Sequence, residues 1–336
     1  MRLPRFEYVR PKTTEEALSL LEQSGTQARI LAGGTDLLVN MKYRVVSPAI
    51  VVSIKFIPGI CTVSSDSQGN TLIGSGANLS DLAHNSTITE KFPAFSQAVR
   101  AVASQHIRNM ACIGGNICLD TRCWYYNQSQ LWRDARERCL RTGGSVCHAI
   151  KGSNRCHAIN SSDTAPVLVA LAANIEVMKK GRKRAVPAQE FYRDDGIRHT
   201  VLEPPEMVTS IQIPESSDST CSAFIKLSMR RGIDFALASI AASVTANGNG
   251  LSDVRLVLGA LASQPIALAK ASQVILESGL TDKAIEKAAE VARTELGVLT
   301  NLFTSAGYKR RLAEVLVKRA LNELKAKTGK SGRARQ

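Results

Sequence analysis

Apolar and polar positions along this chain fall into short blocks whose period changes repeatedly. Thr13 and Glu16 have the spacing of a capping box, and Ala17, Leu18 and Leu21 then repeat at helical intervals up to Gly25, which can stop the helix. The run ARILA at 28–32 predicts a buried strand, followed by Gly33-Gly34-Thr35-Asp36 and a helix carrying Leu37, Leu38 and Met41. Residues 50–54 predict a second strand, closed by Pro58-Gly59. Short strands are predicted at 61–63 and 71–74, and helices around 79–83 and over 95–103. Ile113-Gly114-Gly115-Asn116 then opens on about 40 residues with little periodicity, and an insert of that length in a compact domain is functional or disordered. Order resumes with a helix over 163–172 and a strand over 174–179. Pro204-Pro205 and the stretch after Pro214 read as loops. Beyond them, 223–229 and 254–261 predict strands, 236–246 fits either period, and 266–278, 281–295 and 305–326 predict helices. Gly, Ser and charge over 327–336 predict a frayed basic tail.

Composition narrows the class. With 336 residues, 44% hydrophobic and 21% charged, the chain has enough apolar material for two or three folded domains. No apolar run is long enough for a membrane span, and the N-terminus lacks the apolar core of a signal peptide, so a cytoplasmic location is expected. The formal charge of +14 is concentrated. Residues 309–336 carry a net +8 and residues 122–156 a net +5, which leaves the body nearly neutral. A basic tail and one basic loop do not make a nucleic-acid-binding face.

The cysteines change the picture most. Six of the eight fall between Cys112 and Cys156, and clustered thiols in a reducing compartment read as metal or cofactor ligands before disulfides. Cys123, Cys139, Cys147 and Cys156 are separated by 16, 8 and 9 positions, without the paired hooks of structural zinc. An iron–sulfur cubane accepts four thiolates from a long loop, and the local positive charge would offset its negative charge. Cys112 and Cys118 flank the second glycine pair and are read as small buried packing residues. His148 and His157 each follow a candidate ligand, but a satisfied polar role is the simpler reading for both. The two Gly-Gly segments match neither the Rossmann fingerprint nor a P-loop. Each still allows close backbone approach and can turn N–H groups toward an anion such as a pyrophosphate. Neither a Ser–His–Asp arrangement nor H-E-x-x-H is present, so hydrolysis has no support.

AGGTDLL at 32–38, SQHIRNMACIGGNI at 104–117 and SDTAPVLVAL at 162–171 resemble the flavin-binding subunit of the molybdenum hydroxylases, from about Pro4 to Leu324. The resemblance implies an α+β fold of the vanillyl-alcohol-oxidase type: FAD-binding subdomains at 1–57 and 58–216, a C-terminal α/β domain at 217–326, and the tail at 327–336. It implies FAD held by Leu31, Ala32, Gly33, Gly34, Thr35, Asp36, Leu37, Ala111, Ile113, Gly114, Gly115 and Asn116, with Asp163 and Lys226 lining the flavin site. DTRCWYYNQSQLWR at 120–133 and the cysteines after it look like the insert, at about 118–160, of the 4-hydroxybenzoyl-CoA reductase branch, which carries an additional [4Fe–4S] cluster. That likeness implies Cys123, Cys139, Cys147 and Cys156 as cluster ligands, with no catalytic residue on this chain. The implied partners are a large molybdopterin subunit and a small [2Fe–2S] subunit in a dimer of heterotrimers, with ferredoxin as low-potential donor. The expected role is electron transfer to reductive dehydroxylation of an aromatic acyl-CoA. The alternative within the family is an oxidative hydroxylase of the xanthine, aldehyde or CO dehydrogenase type, and outside it a zinc- or nucleic-acid-binding module.

Overall fold

Thr13 caps the first helix, Thr14–Ser24, by accepting from the Glu16 N–H at 3.1 Å, while the Glu16 carboxylate accepts from the Lys12 N–H at 2.7 Å. The reciprocal bond thus lands one residue earlier than the capping-box spacing predicts. The helix buries Ala17, Leu18 and Leu21 and ends at Gly25, whose φ of +51° a side chain would disfavour. The computed structural model describes residues 2–333 apart from 218, 231, 249 and 303. Among them three sheets follow one another along the chain.

The first sheet is parallel: β1 (Glu7–Val9), β2 (Ala28–Leu31) and β3 (Ile50–Ser53), in the order β1-β3-β2. Val52 pairs with Val9 on one side and Ile30 on the other, above a small core that includes Leu18, Ile54 and Ile57. β1 went unpredicted because it is a half-exposed edge strand with no apolar alternation.

The second sheet is antiparallel: β4 (Val63–Ser65), β5 (Thr71–Gly74), β6 (Asn174–Lys179), β7 (Arg182–Pro187) and β8 (Met207–Ile213), in the order β4-β5-β8-β6-β7. Ile73, Ile175, Val177 and Ile211 pack against Leu79, Leu82, Phe95 and Leu168 to form the largest core. The strand expected at 61–63 begins only at Val63. β7 and β8 were not anticipated: β7 is a charged edge strand, as exposed edges often are, and β8 mixes Thr, Ser and Gln among its apolar residues.

The third sheet is also antiparallel: β9 (Thr220–Leu227), β10 (Ala238–Asn247), β11 (Gly250–Gly259) and β12 (Ile266–Ala267), in the order β12-β11-β10-β9. The segment whose period was ambiguous is β10. Ala241 faces the large core, while Ile240, Ala242 and Val244 face the C-terminal helices Ala269–Ser278, Asp282–Glu295 and Ala306–Arg333. Burial on both faces removes the alternation that would reveal a strand. The last helix corrects the expectation of a frayed tail, since it runs through 327 to Arg333, and Lys327 Nζ donates to the Ser222 carbonyl at 2.9 Å. Residues 334–336 of that expected tail lie outside the described part. Among the described residues no helix is long and apolar enough to cross a membrane.

The insert is folded. A backbone bridge between Arg122 and Ile159 closes its neck, and Ser129 caps the short helix Gln130–Asp134. Arg133 fastens it to the first subdomain by donating to the carbonyls of Tyr43 and Arg44 at 3.2 and 2.8 Å.

Candidate functional site

A cavity of about 750 Å³ lies where the first sheet, the second sheet and the third-sheet turn at 233–235 meet. That volume is in the range of sites for a large organic cofactor. Ala32 to Leu37 form one wall, Ala111 and Gly114 to Asn116 another, and Asp163 the floor. Leu31, Ile113 and Lys226 do not line the cavity. Leu31 ends β2, Ile113 is fully buried in the large core, and Lys226 reaches the cavity only through Asp163.

The glycines divide their work. A Cβ on Gly33 would stand 2.0 Å from the Met110 carbonyl oxygen, and one on Gly114 would stand 2.7 Å from the Ser75 Cβ. These two glycines therefore let protein segments pack against each other, which corrects the view that all four serve approach to a ligand. Gly34 has φ of +74°, and a Cβ on Gly115 would meet only the Ala32 Cβ, at 3.8 Å, so Gly115 faces the open cavity. The second pair is also not a turn, because it lies within the helical segment Ile113–Ile117. Among the described residues, the backbone N–H groups of Gly34, Thr35, Asp36 and Gly115 have no hydrogen-bond acceptor. The buried hydroxyls of Ser75 and Ser161 line the same cavity without hydrogen-bond partners among the described residues. Buried polar groups without partners are costly. These donors and hydroxyls suit a polar, anionic ligand and fit the pyrophosphate and ring edges of a dinucleotide.

Asn116 joins the motifs. Its Oδ1 accepts from Ser162 Oγ at 2.8 Å and Thr164 Oγ1 at 2.7 Å, which ties the second glycine segment to SDTAP. Beside it, Lys226 Nζ donates to Asp163 Oδ2 at 2.7 Å, with both side chains nearly buried. Burial pushes the Asp163 carboxyl up to about 6, against the opposing pull of Lys226. Asp36 does not cap the helix Leu37–Lys42 with its side chain; it pairs with Arg122 at the neck of the insert. Burial raises the Asp36 carboxyl, and Arg122 opposes that shift. The Arg122 guanidinium also lies 5.1 Å from the Phe235 ring, so it links the insert to both sides of the cavity.

A second, much smaller cavity brings together Cys123, Cys139, Cys147 and Cys156. That cavity has a volume of only about 20 Å³. No group of three His, Cys, Asp or Glu that could hold a metal ion occurs among the described residues. A cubane differs from a single ion in taking one thiolate at each iron, so its ligands stand apart around it. Burial raises the thiols of Cys123 and Cys156. Burial pushes Cys112 to about 11 and Cys118 to about 12, which suits their reading as packing thiols. Thr142 Oγ1 donates toward Cys139 Sγ at 3.7 Å. His148 is bonded to the Glu137 carbonyl and His157 to Ser153 Oγ, each at 2.8 Å, and both have the satisfied polar role.

Sequence reasoning missed the wall between the cavities. Tyr126 and Arg141 line both, with the Arg141 guanidinium 4.1 Å from the Tyr126 ring and paired with Asp120. It also missed Gly196, where a Cβ would stand 2.6 Å from Cys156 Sγ. Neither has a local sequence signal, because both depend on contacts across many residues.

Residues 4–216 match the model of the FAD binding domain in molybdopterin dehydrogenase, and residues 223–324 match the CO dehydrogenase flavoprotein C-terminal domain. The chain belongs to the family of FAD-binding medium subunits of the molybdenum hydroxylases. It is similar to the carbon monoxide dehydrogenase medium chain of Hydrogenophaga pseudoflava, at 28% identity over 95% of this chain and 96% of that one. It is also 30% identical to an aldehyde oxidoreductase FAD-binding subunit of Escherichia coli, over 77% of this chain and 82% of that one. A carbon monoxide dehydrogenase structure from Hydrogenophaga pseudoflava superposes with a TM-score of 0.80 at 27% identity, covering 97% and 99% of the two chains. This flavoprotein is an oxidoreductase subunit of mixed helix and sheet, and its large cavity is lined mostly by residues of the FAD-binding domain, with 233–235 added from the C-terminal domain.

Proposed function

We propose that the chain is the electron-transfer subunit of a molybdenum enzyme and carries FAD in the large cavity and a [4Fe–4S] cluster in the small one. Ala32 to Leu37, Ala111, Gly114 to Asn116 and Asp163 would hold the FAD, in subdomains that divide near residue 57 and end near 216. The observation that carries the cluster is the convergence of Cys123, Cys139, Cys147 and Cys156 on one cavity, which shares Tyr126 and Arg141 with the large one. The relatives named above mention no iron–sulfur centre on this subunit, so this part rests on the four thiols and the resemblance of their loop. When bound, the two groups supply one-electron entry and two-electron storage.

The partners are then a large molybdopterin subunit and a small [2Fe–2S] subunit. The inserted loop favours the 4-hydroxybenzoyl-CoA reductase type of reaction. There, two electrons and two protons remove a ring hydroxyl of an aromatic acyl-CoA as water, and the electrons come one at a time from a donor such as ferredoxin. A second reading, an oxidative hydroxylase that runs electrons outward, is favoured by the CO dehydrogenase and aldehyde oxidoreductase relatives.

The first test is composition. The anaerobically purified chain should contain FAD together with iron and acid-labile sulfide in cubane proportion, and should show flavin and iron–sulfur absorption. FAD without iron sinks the cluster and leaves the flavoprotein; zinc in place of iron sinks the redox role of the cysteines.

A further inference from the structure

Two residues, Tyr126 and Arg141, belong to both cavities. Arg141 follows Cys139 by two positions, on the short turn Leu140–Thr142, and its side chain is only 7% exposed. Its Nη1 donates to the Thr121 carbonyl at 3.0 Å and to Thr121 Oγ1 at 2.7 Å, and its Nη2 pairs with Asp120. The Tyr126 ring closes one face at 4.1 Å. Both terminal nitrogens and one face of the guanidinium are thereby held, and an arginine stays charged at any accessible pH. Asp120 lines the flavin cavity but not the cysteine cavity. The pair is therefore oriented, with its positive member in the shared wall and its negative member toward the flavin side.

Resting on the reading of the small cavity as a cluster site, we propose that Arg141 and Asp120 are positioning residues that raise the reduction potential of the cluster and lower that of the flavin. A fixed cation beside a thiolate-bound cluster stabilises the extra negative charge of its reduced form and raises its potential. A fixed carboxylate beside the flavin disfavours added negative charge and lowers its potential. The Arg141 charge is nearly buried and held by its bonds, so it is weakly screened, while Asp120, with its side chain 26% exposed, acts less strongly. Charge on the insert as a whole would act differently. Arg136 and Arg138 lie on exposed loop, where solvent and salt screen them.

The test is a redox titration of the anaerobically purified, FAD-loaded chain, following the cluster by electron paramagnetic resonance and the flavin by absorbance. Arg141→Met should make cluster reduction at least tenfold less favourable, a fall of about 59 mV for a one-electron centre. Arg141→Lys keeps the charge and should recover most of that loss. Asp120→Asn should raise the flavin potential, and adding it to Arg141→Met should restore part of the cluster potential by removing the unpaired carboxylate. Should Arg141→Met fail to retain iron, Arg141→Lys and Asp120→Asn carry the test, because both keep the wall filled. A wild-type chain with a normal cluster whose potentials do not respond to these substitutions overturns the proposal and leaves the cluster reading intact. Equal losses in Arg141→Met and Arg141→Lys overturn it too, since they mark a packing role. A wild-type chain without iron overturns both.

Discussion

At the scale of single residues, the four glycines of the two Gly-Gly segments look alike in sequence and differ in space. Gly115→Val should place its methyl groups in the cavity, giving a chain that unfolds at nearly the wild-type temperature but retains little FAD. Gly33→Ala should do the reverse of a ligand-site variant. Its Cβ meets backbone, so it should cost about 1–3 kcal/mol of stability by overpacking before any question of FAD arises. Unfolding of the FAD-free chains alongside FAD content of the loaded ones separates the two, and full FAD occupancy in Gly115→Val would remove Gly115 from the site. The buried pair Asp163–Lys226 gives a signed pH dependence. Between pH values of about 4 and 6 the native carboxyl holds a proton that the unfolded chain has released, so this group makes stability fall as pH rises through that window. Lys226→Met removes the counter-charge that Asp163 has among the described residues, leaving a carboxyl that is almost wholly buried. It should cost about 3 kcal/mol at pH 7, and the loss should shrink on acidification toward pH 5 as the carboxyl takes up its proton. A urea-denaturation series across pH checks both the size and the sign; a loss that grows on acidification would refute the assignment.

At the scale of elements, the insert is a separately fastened unit. Its neck bridge, the Arg122–Asp36 pair and the Arg133 bonds to Tyr43 and Arg44 hold it over the flavin domain, while no strand of the three sheets passes through it. On the cluster reading, Cys139→Ser should lose iron and sulfide with FAD retained, and Cys118→Ser should keep both. Gly196→Ala should behave like a ligand variant although it changes no ligand, because its Cβ would press on Cys156 Sγ at 2.6 Å. Iron and flavin content of these three proteins and of Cys123→Ser decides; a Cys118→Ser chain that empties the cluster while Cys123→Ser does not would reassign the ligands. Much at this scale was legible in sequence, for local reasons. The capped first helix, β2 with its glycine loop, and the helices of the C-terminal domain carry their own caps and periods. The linkage of CIGGNI to SDTAP was visible only as two separate motifs, and Asn116 supplies the physical join. β10 was ambiguous because it is buried on both faces, and Arg141 was one arginine among several until the fold set it between two cavities.

At the scale of the whole molecule, three sheets and their helices frame a large cavity, and the insert adds a small one against its rim. The positive charge that stands out in composition belongs largely to the insert and the last helix, and where the insert meets the large cavity Arg122 and Arg141 are paired with Asp36 and Asp120. On the cluster reading, electrons crossing between the cavities pass the Tyr126–Arg141 wall whichever way they run. Direction is then a matter of relative potential, and iron–sulfur centres span about −700 to +450 mV, so the cysteine cavity alone does not fix it. If the chain serves a reductive enzyme, the cluster in the assembled complex should titrate at or below FAD, and a reduced low-potential ferredoxin should sustain turnover. The basic insert should make that turnover fall as salt rises, because an acidic carrier approaching it is steered by charge. A cluster well above FAD, with no turnover from reduced ferredoxin but ready reduction of both centres by an oxidisable substrate, would assign the chain to the oxidative side of the family, with the insert as an exit for electrons rather than an entry.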